Sequence, residues 1–412
     1  MEELLLKNIR KTNYQNISVY VADGGYQALK KSLFMKPEDI LNEVKKSCLT
    51  GRSAAFPVAT KWSLTRQNSA RPKYIVCNAD EGEPGCFKDR LLLSRDPHRL
   101  LEAMIITGYT VGSQQGYIYI RGEYTNESQI VENAISQAEE NGYLGENILG
   151  SGFSFHIRVY QGAGSYVAGE ETALLRSMAG FRPSPGIRPP YPVKYGYLGK
   201  PTVVNNVETL VNIPTIVLNG GDWFSEIGNP DYPGTKLFCL SGNVNRPGVY
   251  ELPFGVTLGE LINEYGYGVR GELKAILPGG VASGLVTDLN IKMDYKSLAK
   301  VNSLLGPGVV IVMNKDVDII AISIHTLEFF ARESCGKCSV CREGIRAGLT
   351  IMNRFARNEA ELGDIELLKT LRRLMYDTAN CVLGQAALNA TVSAIRLFRN
   401  EFESRVRNQS VW

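Results

Sequence analysis

Apolar residues in the first half of this chain come in short runs separated by amphipathic stretches, and near its end they change to helical stripes. Up to residue 235, runs such as YIVCNA (74–79), YIYIRG (117–122) and FHIRVY (155–160) read as strands. Between such runs, PEDILNEVKKS, with Pro37 suited to a first helical turn, and HRLLEAMIITGYTVG read as helices. Strand then helix, repeated, predicts an α/β layer domain with a largely parallel sheet over residues 1–235. The Gly- and Pro-rich passage 180–201 holds too many prolines for a helix or a central strand. It predicts a long ordered loop over the surface or over a ligand.

Residues 236–316 have a second texture. KLFCLSGNVNRPGVYELPFGVTLGELINEYG gives strand, turn at 245–248, strand, then a short helix beginning near Thr257, the outline of a small α+β module. From 317 to 412 the period becomes helical. Ile365, Leu368, Leu371 and Leu374 recur every third residue, with Asp364 as N-cap. Leu388, Val392, Ile395, Phe398 and Phe402 form another stripe. These predict a helical bundle, with a cysteine cluster in the loop joining its first two helices.

Composition narrows the class. The 412 residues are 44% hydrophobic and 21% charged, the mix of an ordinary globular protein, and enough for more than one core. A net charge of +3 without a long basic run gives no nucleic-acid footprint. The first residues, MEELLLKNIRKTNY, lack a signal-type apolar stretch, and the most apolar later run is broken by Lys315, Asp316 and Asp318. Eight cysteines fall far short of disulfide-scaffold density. A cytoplasmic, reducing compartment is the expectation, which favours metal ligation over cystine.

Cys335, Cys338 and Cys341 follow C-x2-C-x2-C, and Cys381 lies forty residues on. Zinc usually takes two separated pairs. A compact run of three with a distant fourth is closer to the ligation of a [4Fe–4S] cluster, one thiolate per iron. Spacing leaves zinc or bare thiols open. Cys48 and Cys239 stand alone and read as buried small apolar residues.

CNADEGEPGCFKDR (77–90) follows a predicted strand, where polar residues of an open α/β sheet face the ligand crevice. Asp80, Glu81 and Glu83 could equally be solvated in a surface turn. In QGAGSYVAGEETALLRSM (161–178) glycines permit close backbone approach, and a helix starting near Glu170 would present free N–H groups to a phosphate. The segment is neither a Walker loop nor G-x-G-x-x-G. KPTVVNNVETL (200–210) offers two adjacent amides that suit a heteroaromatic ring edge.

Taken in order, YIVCNADEGEPGCFKDR, GAGSYVAGEETALL, GKPTVVNNVETL and ESCGKCSVCREG resemble the NADH-dehydrogenase flavoprotein subunit of respiratory complex I. The chain is equally similar to diaphorase subunits of NAD-linked hydrogenases, formate dehydrogenases and electron-bifurcating complexes. The resemblance covers nearly all of it. It implies a Rossmann-like domain binding FMN and NAD(H) over 1–235, a ubiquitin-like SLBB module over 236–316, and a bundle holding [4Fe–4S] over 317–412. By motif position it implies flavin contacts from Gly51, Arg52, Lys61, Asn78, Asp80, Glu81, Gly169, Glu170, Glu171, Asn205 and Asn206. Glu83 and Glu171 would place the nicotinamide, and Phe56 would stack on it. Cys335, Cys338, Cys341 and Cys381 would ligate the cluster. A small thioredoxin-like [2Fe–2S] subunit and a larger polyferredoxin-like one would be the partners, with no nucleic acid and no direct membrane insertion.

Where the family usually reads GRGGAGFPTGLKW, this chain reads GRSAAFPVATKW, one residue shorter and with three glycines lost ahead of Phe56. Ser53, Ala54 and Ala55 add atoms where a dinucleotide would lie. A stacking aromatic of the family is Leu64 here, and the pair usually Lys and Phe is Arg188 and Tyr191. The flavin residues are untouched; the departure bears on the nicotinamide. Two readings follow. In one, hydride passes from NAD(P)H to FMN and electrons leave through the cluster to partner subunits. In the other, the chain is an electron-relay or bifurcation subunit that binds no nicotinamide. Glu83, Glu171 and Phe56 favour the first.

Overall fold

Four strands carry the first half of the chain: β1 (Tyr74–Ala79), β2 (Gln115–Ile120), β3 (His156–Gln161) and β4 (Thr202–Asn206). In the computed structural model, which describes residues 3–407, they form one sheet in the order β3-β2-β1-β4, every pair parallel. Parallel neighbours need crossovers, and helices supply them. Lys88–Arg95 and Pro97–Val111 join β1 to β2, Thr125–Glu140 lies between β2 and β3, and Glu171–Met178 between β3 and β4. Helix Pro37–Lys46 starts on its proline, as expected. β1 is central and almost wholly buried, hence its unbroken apolar run. The chain winds outward from β1 through β2 to β3, then returns to the other side of β1 as β4. At such a reversal the loops leave the strand ends in opposite directions and open a crevice. The passage 180–201 holds only a short 3-10 turn, Tyr197–Gly199.

Contacts divide the chain into two compact units. The first holds residues up to Gly82, Cys86–Phe238 and Glu251–Gly255; the second holds Glu83–Gly85, Cys239–Tyr250 and the residues from Val256 on. A second four-stranded sheet runs in the order Gly248–Pro253, Thr235–Gly242, Val309–Asn314, Leu273–Leu277. Val309–Asn314 pairs parallel with residues 239–242 and antiparallel with Leu273–Leu277. A hairpin, a helix and a last strand returning beside the first make the ubiquitin-like order. A capping box starts that helix: the Glu260 amide donates to the Thr257 hydroxyl (3.1 Å) and the Thr257 amide to the Glu260 carboxylate (2.7 Å).

Helices Ile319–Glu333, Ser339–Ala356, Leu362–Thr378, Val382–Ala386 and Asn389–Leu397 follow. They share a unit with the sheet because the two are bonded together. The Leu285 amide donates to Ser393 Oγ (2.7 Å), and Asn389 Nδ2 to the Ala282 carbonyl (3.0 Å).

Several expectations need correction. A spacing of three lags the 3.6-residue turn and slides off the buried face. Ile365 and Leu368 are buried, but Leu374 is half exposed and Met375 takes its place. Glu361, not Asp364, caps that helix, and Asp364 completes the capping box from its third position. Cys239 is buried, whereas Cys48 is exposed with a left-handed φ of 51° beyond helix Pro37–Lys46. Cys335 and Cys338 lie between the first two bundle helices, but Cys341 is on the second. No described helix is long and apolar enough to cross a membrane. The outermost ends of the expected first and third domains, residues 1–2 and 408–412, lie outside the described residues.

Candidate functional site

The crevice in the first unit lies where β1 and β4 end side by side, with Cys77 opposite Asn205 and Asn78 opposite Asn206. Asn78 ties two crevice loops together. Its Nδ2 donates to the Gly169 carbonyl (2.8 Å) and its Oδ1 accepts from the Asp80 amide (3.0 Å). Asn205 is oriented by the buried Trp62, whose indole N–H donates to its Oδ1 (3.1 Å). Gly169 passes close to Asp80: a Cβ there would stand 3.5 Å from the Asp80 carbonyl oxygen. Gly122, beyond β2, has no room for a side chain, since its Cβ would meet the Gly162 carbonyl oxygen at 2.5 Å. The strand ends are therefore rimmed by bare backbone. Asn78 and Asn205 each keep amide valences beyond these bonds for a ring's carbonyls and nitrogens. A flat heteroaromatic cofactor such as FMN fits this chemistry.

A charged group stands beside the crevice. Helix Glu171–Met178 begins with Glu171, whose carboxylate takes the Lys61 ammonium at 2.7 Å and the Arg188 guanidinium at 3.4 Å. Lys61 also lies 5.7 Å from the Phe56 ring centre, and that ring is half exposed. Lys61, Phe56, Glu171 and Arg188, drawn from three separate stretches, thus meet.

Four expected contacts are placed differently. Arg52 is fully buried. Its guanidinium donates to the Pro233 carbonyl (2.8 Å) and lies 4.9 Å from the Phe254 ring centre, so its side chain braces the interior. Of this turn, the Arg52 side chain is therefore not available to a ligand. The Glu81 carboxylate is spent inward, accepting from the Asp89 amide (2.9 Å), the Arg90 amide (3.0 Å) and the Tyr124 hydroxyl (2.9 Å). It caps helix Lys88–Arg95 from seven residues upstream. Glu81→Ala is accordingly expected to destabilise the protein by about 1–3 kcal/mol, by leaving buried donors without an acceptor, and the measured Tm checks this. Glu170 caps its own helix, accepting from the Thr172 and Ala173 amides (3.0 Å each). Those amides, expected to be open to a phosphate, are already taken. The Asn206 amide is saturated. Nδ2 donates to Asp89 and to the Asn78 carbonyl; Oδ1 accepts from Lys88 and from the Glu208 amide.

In the second unit, Glu83 Oε1 accepts from the Ala282 amide at 3.3 Å. Gly280 lies against it, since a Cβ there would stand 2.2 Å from the same oxygen. Of the four expected cysteines of this unit, Cys338, Cys381 and Cys335 all lie within electrostatic reach of Cys341. Cys335 and Cys338 are half-buried, while Cys341 and Cys381 are buried. Cys381 precedes helix Val382–Ala386, so amides of Leu383 and Gly384 donate to its sulfur. Gly384 lets that helix reach Cys341: a Cβ would stand 3.1 Å from the Cys341 sulfur. Burial, and after it the charges of Cys338, Cys381 and Cys335, push the Cys341 thiol up to about 11, against the pull of Ser334. Burial raises the Cys381 thiol as well. Among the described residues, no three His, Cys, Asp or Glu side chains converge closely enough to hold a single metal ion. A [4Fe–4S] cubane would take one thiolate at each of four separate iron corners rather than several at one point.

The sequence reading missed Trp62, Lys88, Lys236 and Glu208. A tryptophan at the end of the 51–62 loop and the charged KD pair after the acidic loop were the available signals.

Residues 44–215 match the family model of the Nuo51 FMN-binding domain. Residues 237–277 match that of the SLBB domain, and residues 321–405 that of the NADH-ubiquinone oxidoreductase-F iron-sulfur binding region. The chain is 43% identical over 414 residues to the second F-type NADH-quinone oxidoreductase subunit of Rhizobium meliloti (strain 1021), covering 99% of this chain and 98% of that one. It is 44% identical over 397 residues to the HndC subunit of the NADP-reducing hydrogenase of Solidesulfovibrio fructosivorans, covering 95% and 81%. Among solved structures, a chain of the NAD+-reducing [NiFe]-hydrogenase in the H2-reduced state superposes with a TM-score of 0.87 at 35% identity, covering 99% of this chain and 68% of that one.

Proposed function

We propose a division of labour among residues for this chain, which belongs to the family of F-type NADH-quinone oxidoreductase subunits, a family that also takes in hydrogenase diaphorase subunits. It is the flavoprotein subunit of a multi-subunit oxidoreductase, working with FMN, NAD(H) and a [4Fe–4S] cluster. When bound, FMN would supply hydride acceptance with one-electron release, and a [4Fe–4S] cluster would supply one-electron carriage. In our assignment Asn78 and Asn205 hold the polar edge of the flavin. Asp80, Gly169 and the backbone at Gly51 line its approach, while Glu81, Glu170 and Asn206 keep the surrounding loops in place.

Lys61, Glu171, Arg188 and Phe56 form the nucleotide side. Glu171 pairs with Lys61 at 2.7 Å and shares Arg188 with Glu170, at 3.4 and 3.2 Å. A phosphate or ribose hydroxyl arriving there exchanges partners with that carboxylate rather than meeting bare charge. Phe56, half exposed, offers its face to the nicotinamide. Glu83, with Glu171, positions the ring, and Cys335, Cys338, Cys341 and Cys381 bind the cluster.

The modules in this reading are 1–235 for FMN and NAD(H), 236–316 for the SLBB domain and 317–412 for the iron–sulfur bundle. The three family matches, each inside one of these ranges, support it. Electrons reaching the bundle must leave it. A thioredoxin-like [2Fe–2S] subunit and a polyferredoxin-like subunit, docking near 333–344, are the partners we assign, in a cytoplasmic module.

The observation that carries this reading is the Lys61–Glu171–Arg188 group with Phe56 at the crevice, in a chain that also gathers four thiols. Anaerobic titration of the FMN- and iron-loaded protein tests it. NADH is expected to bleach the flavin and then bring up the reduced-cluster EPR signal. Bleaching by dithionite but by neither NADH nor NADPH, with partner subunits present, would overturn it.

A further inference from the structure

Behind the crevice, the first unit buries four charged side chains that none of the roles above uses. Lys88, Asp89, Glu208 and Lys236 are each no more than 2% exposed. Lys236 Nζ meets Glu208 at 2.6 Å, Glu208 meets Lys88 at 3.1 Å, and Lys88 meets Asp89 at 2.7 Å. Two cations and two anions balance. Burying them is costly, and an apolar cluster of the same volume would be no less stable, so the arrangement is poorly explained as a source of stability.

Its geometry gives it another use. Asp89 accepts from Asn206 Nδ2 at 2.6 Å and Lys88 donates to Asn206 Oδ1 at 3.2 Å, so the pair reads both ends of that amide and fixes which way it points. Asn206 then donates to the Asn78 carbonyl at 3.1 Å, and Asn78 in turn donates to the Gly169 carbonyl at 2.8 Å. One unbroken polar chain therefore runs from Lys236 through Glu208, Lys88, Asp89, Asn206 and Asn78 to Gly169. It ties together the ends of β1 and β4 and the loop after β3, the backbone that rims the crevice.

We infer that Lys88 and Asp89 are positioning residues that preorganise the FMN crevice, acting through Asn206 on Asn78 and Gly169 without touching the cofactor. A cofactor loses affinity when its site must first be ordered, so a loosened clamp is read as weaker flavin binding. The inference rests on the flavoprotein reading above.

The test exchanges two groups. In the double variant Asp89→Asn with Asn206→Asp, the carboxylate and amide trade places. Charge balance beside Lys88 is kept, and so is a bond between positions 89 and 206. An aspartate at 206 has no N–H for the Asn78 carbonyl, so that link alone is cut. FMN is the probe, added to full-length apo-protein. The FMN Kd is expected to rise about ten-fold, roughly the loss of one hydrogen bond to a charged network. Hydrogen exchange at residues 165–170 of the apo-protein is expected to speed up, while the cluster EPR signal stays as in wild type. Wild-type FMN affinity and wild-type protection of 165–170 in the exchanged variant would overturn the inference. Should the double variant not fold, Asp89→Asn alone is read by the same two measurements. If wild-type protein takes up no FMN, the flavoprotein reading fails, and exchange at 165–170 still decides the clamp.

Discussion

Cys381→Ala is expected to lose the four-iron cluster or leave a smaller one, while Cys48→Ala keeps all four irons. The two thiols differ in every respect that matters for ligation. Cys381 is buried, receives backbone amides from Leu383 and Gly384, and feels the charges of Cys335 and Cys338. Such amides stabilise a thiolate and, around a cluster, tune its potential. Cys48 is exposed in the first unit, beyond helix Pro37–Lys46. Burial raises the Cys341 thiol to about 11, so its proton must leave as iron binds. Removing one of four thiolates takes away the attachment of one iron corner. Iron and sulfide analysis with EPR of the dithionite-reduced protein reads the outcome. Four irons and an unchanged signal in Cys381→Ala would show that the fourth ligand lies elsewhere.

Much of this architecture is legible without coordinates, for physical reasons that differ by element. The run at 74–79 announces a strand because a central strand of a parallel sheet is apolar over most of its length, whereas 155–160 does so as an alternating edge strand. The small α+β module is legible from its hairpin turn and the helix start near Thr257, while its ubiquitin-like order comes only with the family resemblance. Side-chain allegiance is harder. Arg52, Glu81, Glu170 and Asn206 are polar residues in ligand-bearing loops, and sequence position assigns them to a ligand. Arg52, Glu81 and Asn206 in fact spend their side chains on the fold, and Glu170 gives one oxygen to its helix cap and the other to Arg188. Which way a polar group turns depends on donors tens of residues away, such as the Tyr124 hydroxyl for Glu81, and no local pattern encodes that. The stripe through Leu374 failed for a simpler reason, because three is not the period of a helix.

Restoring glycine to the shortened loop, as Ser53→Gly with Ala54→Gly and Ala55→Gly, is expected to tighten NADH binding by about 5- to 150-fold. The turn is drawn closed by the Gly51 amide on the Phe56 carbonyl (2.8 Å) and the Ala55 amide on the Gly51 carbonyl (2.9 Å). Closing it this way puts Ala55 at a φ of +51°, a left-handed conformation that costs an alanine about 1–2 kcal/mol and glycine almost nothing. Ser53 and Ala54 are exposed in the turn just before the exposed Phe56, where their side chains add bulk that glycine lacks. Each removed contact or mild clash is worth roughly 1–3 kcal/mol, which sets the range of the gain. Anaerobic flavin bleaching against NADH concentration gives Kd for wild type and variant, and Ala55→Gly alone, followed by Tm, isolates the strain. Glu83→Ala in the same assay should slow bleaching by misplacing the nicotinamide. An unchanged Kd in the triple variant would mean that the loop does not limit the nucleotide. Dithionite reduction with no response to millimolar NADH or NADPH in either protein, partners included, would replace hydride transfer with the relay role, in which the flavin trades electrons only with iron–sulfur centres.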